Sequence, residues 1–341
     1  MSNKYSALLD DLLDGEALSE PEAADLMRTL ASGELDAALA GALLAGLRAK
    51  GETAEEIRGF ATAMRDLALR PAIPDGPPTV DSVGTGGDSS GSLNLSTGAG
   101  LLSAVAGARV VKHGNRSVSS KSGSADVLES LGMPLPLDEQ AVIDCLQALN
   151  FTFLFAPAYH PAMKSIIPVR GALGVRTVFN MLGPLTNPAA PPFQLVGAFS
   201  AEAARLMADT LSGMPIERAF VVHGEPGWDE ASPAGEFLLF DVRPGSVKES
   251  VRNPEEYGFK RCQPGELRGA DAGHNAQELA KVFTGDDQGP HRDALLMGTS
   301  LILEVVGIVD DLKSGVEMAA AAIDDGKAAA FLHDFEKHFA T

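Results

Sequence analysis

The chain has 341 residues, 45% hydrophobic and 21% charged, which describes a folded globular protein and excludes a disordered one. Its formal net charge of −19 excludes the basic footprint of general nucleic-acid binding. The two cysteines, Cys145 and Cys262, stand too far apart for a disulfide framework or zinc-ligand spacing. No apolar run approaches the roughly 20 residues that cross a bilayer, and the polar start Met1-Ser2-Asn3-Lys4-Tyr5 has no signal-peptide core. A cytoplasmic protein without membrane contact is expected, long enough for two domains.

Residues 1–70 read as helices only. Ser19-Glu20-Pro21-Glu22 and Thr53 with Glu56 are capping boxes. Leu39, Leu43, Leu44 and Leu47 share one helical face, and Ile57, Phe60, Ala61, Met64 and Leu67 share another. These spacings predict three short helices packed as a bundle. Pro71, Pro74, Pro77 and Pro78 then mark a linker.

From residue 79 strands and helices alternate. Strands are expected at 80–83, 109–112, 151–155, 194–199 and 218–223, with helices at about 97–108, 124–131, 139–149 and 202–211. That order predicts an α/β fold with a mostly parallel central sheet covered on both faces. Residues 161–188 interrupt it with helical spacing between prolines, and are expected to leave the sheet and join the N-terminal bundle. Two short antiparallel strands, 237–242 and 247–251, and two helices, about 291–306 and 312–334, finish the chain. The expected division is a small helical domain, 1–72 with inserted helices at about 161–188, and a larger α/β domain, 78–160 with 189–341, enclosing a cleft.

Two polar glycine-rich loops carry the chemistry. The first runs from Gly84 through Gly87 and Asp88 to Ser92, Asn94, Leu95, Ser96 and Thr97. It follows a predicted strand and precedes a helix, where glycines let backbone approach a phosphate and free N–H groups favour an anion. It is neither a P-loop nor a dinucleotide fingerprint. The second loop comprises Lys112, His113, Gly114, Asn115, Arg116, Ser117, Val118, Ser119, Ser120, Lys121, Ser122, Gly123 and Ser124. Its two Lys, one Arg and five Ser cannot build a core, and its place after a predicted strand is where open α/β sheets bind ligands. A basic pocket within an acidic protein focuses its field on a small anion such as a diphosphate.

Together with Pro157–Ala162, Val169-Arg170, Arg176–Pro188 and Asp229-Glu230, these loops closely resemble the anthranilate phosphoribosyltransferase family over nearly the whole chain. The resemblance implies transfer of the phosphoribosyl group of 5-phosphoribosyl 1-diphosphate to the amine of anthranilate, the second step of tryptophan biosynthesis from chorismate. It implies that Gly84, Gly87, Asp88, Ser92, Asn94, Leu95, Ser96 and Thr97 line the diphosphate and ribose, and that Lys112 through Ser120, with Ser124, hold the phosphate groups. Gly84, His113, Asn115, Tyr159 and Arg170 would line the anthranilate site, with Arg170, or Arg176 nearby, on the carboxylate. Ser96, Asp229 and Glu230 would hold Mg²⁺, two ions per subunit. No acid, base or nucleophile is assigned, since an aromatic amine needs no strong base. A homodimer through the helical domain is implied, and association with anthranilate synthase is a further option.

Departures are small: Ser89 follows Asp88 where many relatives have Gly, and Gly298 stands where Asn is frequent. The alternatives are a pyrimidine nucleoside phosphorylase-like enzyme, a paralogue with another acceptor, and a non-catalytic subunit of a biosynthetic complex.

Overall fold

The computed structural model describes residues 2–88, 90–117 and 121–340. Four helices open the chain, one more than expected: α1 (Ser2–Leu13), α2 (Glu20–Ser32), α3 (Ala37–Lys50) and α4 (Ala54–Leu67). The Thr53–Glu56 box closes reciprocally, Glu56 N–H donating to Thr53 Oγ1 at 3.2 Å and Thr53 N–H to Glu56 Oε2 at 2.8 Å. Glu56 is fully buried and also accepts from Leu18 N–H and Lys50 Nζ, so it ties three segments of the bundle together. At Ser19 the backbone N–H and the hydroxyl both donate to Glu22.

The chain then builds β1 (Thr79–Gly84), α5 (Leu95–Val105), β2 (Arg109–Gly114), α6 (Ser124–Ser130), α7 (Glu139–Leu149) and β3 (Phe151–Phe155). Next come α8 (Ala156–Tyr159), α9 (Met163–Leu173), α10 (Phe179–Leu182) and the 3₁₀ turn Gly183–Leu185. The sheet resumes with β4 (Phe193–Gly197), α11 (Ala201–Ser212), β5 (Arg218–Gly224), β6 (Phe237–Arg243) and β7 (Ser246–Arg252). Four helices end the chain: α12 (Ala272–Phe283), α13 (Pro290–Val306), α14 (Leu312–Asp324) and α15 (Lys327–Phe339). Helix α12 has no counterpart in the periodicity reading. The long helix expected at about 312–334 is two, broken at Gly326, whose φ of +76° is left-handed.

The sheet has the order β3-β2-β1-β4-β5-β6-β7. The first five strands are parallel, and β6 and β7 are antiparallel additions. The strand order reverses between β1 and β4, which opens a crevice at their carboxyl ends.

A hydrophobic core fills each face. One joins Val80, Val110, Phe151, Leu195 and Phe220 to α5–α7 and α12–α15. The other joins Val196, Ala219, Val221 and Phe240 to α11 and also to α1–α4, α9 and α10. The N-terminal helices therefore pack as a bundle against this second face of the sheet, beside α11. Phe60 of α4 meets Phe179 of α10 edge-on, centroids 6.1 Å apart, and Arg65 Nε donates to the Leu185 carbonyl at 2.7 Å. The 161–188 excursion is thereby fixed against the N-terminal helices.

Candidate active site

Four neighbouring parallel strands, β2, β1, β4 and β5, all end in glycine: Gly114, Gly84, Gly197 and Gly224. At three of them a side chain is barred by one loop. A Cβ at Gly84 would collide with the Asp229 carboxylate, at Gly197 with the Asp229 main chain, and at Gly224 with the Glu230 main chain. The glycines thus let the segment after β5 fold back over the strand ends and carry its two acids into the crevice.

The acids have defined partners. Gly86 N–H donates to Asp229 Oδ2 at 2.7 Å, and Asp229 N–H to Asp88 Oδ2 at 3.3 Å. Ser96 N–H, in the first turn of α5, donates to Glu230 Oε1 at 3.1 Å. Asp88 also takes the amide and hydroxyl of Ser90, which folds the first loop. Burial raises the pKa of Asp229, with Asp88 adding to the rise; burial also raises Glu230, with Asp229 adding. Three carboxylates are thus held together in a partly buried corner.

Lys112 faces them from β2. Its buried ammonium donates to the Ser82 carbonyl and lies 3.4 Å from Ser96 Oγ. Burial lowers its pKa, opposed by Asp81, Glu230 and Asp229. Asp81 is pushed up to about 6 by its own burial, and accepts from His113 N–H at 3.2 Å and Asn187 Nδ2 at 2.8 Å. His113 is buried beside His160, ring centroids 5.1 Å apart, and its Nδ1 meets the Gly183 carbonyl at 3.3 Å. Burial and His160 push His113 down to about 3, and burial pushes His160 to about 4. At neutral pH His113 is therefore an uncharged wall, and brings no positive charge to a phosphate.

The second loop is braced by Asp126 and Asn94. Asp126 Oδ2 accepts from Ser117 N–H at 3.0 Å and Gly123 N–H at 2.8 Å. Asn94 Nδ2 donates to the Ser122 carbonyl at 3.2 Å, while its Oδ1 accepts from Asn275 Nδ2 of α12 at 2.8 Å. Asn275 has no motif around it, and the reading of the sequence missed it. Arg116 is spent on Glu129 and Asp126, and its N–H donates to Asn115 Oδ1 at 2.7 Å. Ser124 Oγ donates to the Asn115 carbonyl at 3.3 Å. Ser92 bridges to Arg268, and Leu95 and Thr97 are buried in the start of α5. Val118, Ser119 and Ser120 lie outside the described residues.

Tyr159 ends α8, half-buried, and its carbonyl accepts from Leu69 N–H at 2.9 Å. Arg170 stands on α9, its guanidinium 5.3 Å from the Phe179 ring centroid. Arg176 instead donates to the Gly87 carbonyl and stacks 4.1 Å from the Phe199 centroid. The arrangement brings together Gly84–Asp88, Ser96, Lys112, Asp229 and Glu230 in one group, and Asn94, Asn115, Ser117 and Ser124 in the adjacent loop.

Residues 6–68 match the glycosyl transferase family helical bundle domain, and residues 76–329 the glycosyl transferase family a/b domain. The anthranilate phosphoribosyltransferase of Rubrobacter xylanophilus is 43% identical over 321 residues, 94% of this chain and 93% of that one. The chain belongs to the anthranilate phosphoribosyltransferase family. A crystal structure of the family member from Thermus thermophilus aligns with a TM-score of 0.90 at 40% identity, covering 98% of this chain and 99% of that one. The Saccharomyces cerevisiae anthranilate phosphoribosyltransferase, in complex with PRPP and Mg, aligns with a TM-score of 0.88 at 26% identity, covering 99% and 98%.

Asp229 and Glu230 are hard oxygen donors, the chemistry that suits Mg²⁺, and a divalent cation would relieve the repulsion that Asp88 adds to Asp229 and Asp229 adds to Glu230; the Ser96 main chain adjoins Glu230. Among the described residues no helix is long and apolar enough to cross a membrane.

Proposed function

We infer that this chain transfers the 5-phosphoribosyl group of 5-phosphoribosyl 1-diphosphate to the amine of anthranilate, giving N-(5-phosphoribosyl)anthranilate and diphosphate. The observation that carries this reading is the carboxylate cluster Asp88–Asp229–Glu230, locked to Gly86 and Ser96 beside Lys112 at the crevice where the strand order reverses. The N–C1 bond forms as the C1–O bond to diphosphate breaks, and the amine proton passes to solvent. The demand is on stabilising a polyanionic leaving group, so fixed donors matter more than a base.

Asp229, Glu230 and Ser96 would hold Mg²⁺, two ions per subunit, which when bound supplies positive charge to the diphosphate. Gly84, Gly87, Asp88, Ser92, Asn94–Thr97 and residues 112–120 with Ser124 would cradle the diphosphate and ribose. Lys112 would contribute a hydrogen-bond donor there. Arg170 would pair with the anthranilate carboxylate, with Gly84, Asn115, His113 and Tyr159 around the ring. His113, kept neutral, would present an apolar edge. The same reading divides the chain into a helical domain, 1–72 with about 161–188, and an α/β domain, 78–160 with 189–341. It also makes the protein a cytoplasmic homodimer joined through helical parts that expose Leu13, Ile167 and Val175, with anthranilate synthase a further partner.

The test is decay of anthranilate fluorescence with the purified protein, 5-phosphoribosyl 1-diphosphate and Mg²⁺. Decay requiring all three, with equimolar diphosphate release, supports the reading. No decay across a range of Mg²⁺ and substrate concentrations overturns it, and the same format then screens other amines and nucleosides.

A further inference from the structure

We propose that Arg176 is a positioning residue that transmits the placement of the helical part of the molecule to the first glycine loop, and so to binding of the diphosphate substrate. The proposal rests on the reading above for what the loop binds. Its structural half stands without that reading.

Arg176 joins two bodies. Its own carbonyl accepts from Arg48 Nη1 of α3 at 2.8 Å. Directly after it, Thr177 N–H donates to Asn180 Oδ1 at 2.9 Å, and Phe179 packs edge-on against Phe60 of α4. The backbone of Arg176 is therefore part of the helical body. Its side chain belongs to the other body. The guanidinium donates to the Gly87 carbonyl and covers Phe199, whose N–H donates to Thr85 Oγ1 at 3.2 Å. Thr85, Phe199, Arg176 and Gly87 thus close a ring around the loop, with one member on the far side of the crevice.

The contact bears on the loop's donors. Gly87 sits at φ +74°, a left-handed conformation, and a Cβ there would stand 2.9 Å from Arg176 Nη2. In a trans peptide the carbonyl and the following N–H point in opposite directions. Fixing the Gly87 carbonyl on Arg176 therefore turns the Asp88 N–H away from Arg176. Gly86 is meanwhile fixed by its N–H on Asp229. Two successive loop residues are gripped, one by the acidic segment and one by the inserted helical segment. This role differs from pairing with the carboxylate of anthranilate, the alternative that the sequence leaves open for Arg176.

The experiment compares Arg176→Ala, Arg176→Lys and Arg48→Ala with the unaltered protein by two readouts. The first, hydrogen exchange followed by mass spectrometry, needs no substrate. Exchange across residues 84–90 is expected to quicken in Arg176→Ala and, less, in Arg48→Ala, with partial recovery in Arg176→Lys. Unchanged exchange there overturns the proposal even if the enzyme is active. The second is steady-state kinetics. Losing one charge-assisted hydrogen bond that orders the loop raises KM for 5-phosphoribosyl 1-diphosphate by about tenfold, with KM for anthranilate within about twofold. A rise confined to anthranilate overturns the proposal in favour of direct carboxylate binding. If Arg176→Ala does not fold, Arg48→Ala decides, since it leaves the guanidinium in place and removes only the strut behind it.

Discussion

Ser96 and Glu230 lie 134 positions apart in the chain, and the amide of the first donates to Oε1 of the second at 3.1 Å. The bond fixes the start of α5 to the acidic segment after β5, across β1 and β4. It makes the first glycine loop and the acidic pair one structural unit, and each side of that unit can be tested separately.

Asp229→Asn combined with Glu230→Gln removes two partly buried carboxylates and keeps the shape. In Mg²⁺-free buffer the double variant is expected to be more stable than the parent by roughly 1–3 kcal/mol, because like charges no longer share a partly buried corner. It is also expected to need at least about tenfold more Mg²⁺ for half-maximal rate. Urea unfolding with and without Mg²⁺, beside a metal titration of rate, checks both. An unchanged titration removes these residues from the metal site.

Arg170→Ala is expected to raise KM for anthranilate by about 10–100-fold, the cost of a charge-assisted pair to a carboxylate. KM for 5-phosphoribosyl 1-diphosphate should move much less. Equal losses for both substrates would return Arg170 to a structural role on Phe179.

His160 is neutral in the fold until about pH 4, while an unfolded histidine takes up its proton near 6.5. Below 6.5 the unfolded chain therefore binds more protons at this site. The stability the site contributes is complete above pH 6.5 and is lost as pH falls toward 4. Replacing His160 by Gln should flatten the fall of unfolding free energy with acidity by about 1.4 kcal/mol per pH unit within that window. Chemical denaturation at half-unit steps from pH 7 to 4.5 measures the difference. Identical slopes would mean that the imidazole is protonated in the fold.

Gly197→Ala and Gly86→Ala separate collision from backbone strain. The Cβ at 197 would overlap the Asp229 main chain, so the acidic segment must move; a loss above about 3 kcal/mol is expected, along with weaker Mg²⁺ response. At Gly86 a Cβ meets nothing within 4 Å, and only its φ of +66° is unfavourable, a cost of about 1 kcal/mol. Thermal melts with and without Mg²⁺ rank the two, and a reversed order contradicts the steric account of the strand ends.

Much of this architecture is legible in the sequence because its signals are local. The Thr53–Glu56 box and the stripe from Ile57 to Met64 specify α4 without distant information. The two loops stand out because glycines and serines fall between apolar strands. What escapes is recognition by backbone atoms across long separations. Arg176 meets a carbonyl 89 positions away, and any residue offers a carbonyl, so Gly87 bears no mark of the partnership. Asn275 reaches Asn94 over 181 positions from a helix with no motif. Gly197 falls inside an apolar run and Gly224 follows one, and the reason for a glycine at either place appears only once Asp229 and Glu230 lie on top of them.

The strand order also sets a timetable. Gly86 and Ser96 are made early, but their acidic partners follow β5, and β5 pairs with β4, which must first insert beside β1 after the 161–188 excursion. A nascent chain arrested before residue 229 has the cradle and lacks the acids. Such distant pairings close slowly relative to local helices. Acquisition of Mg²⁺ responsiveness during refolding would therefore mark docking of β5, and would lag behind the rise of helical signal from the first 67 residues.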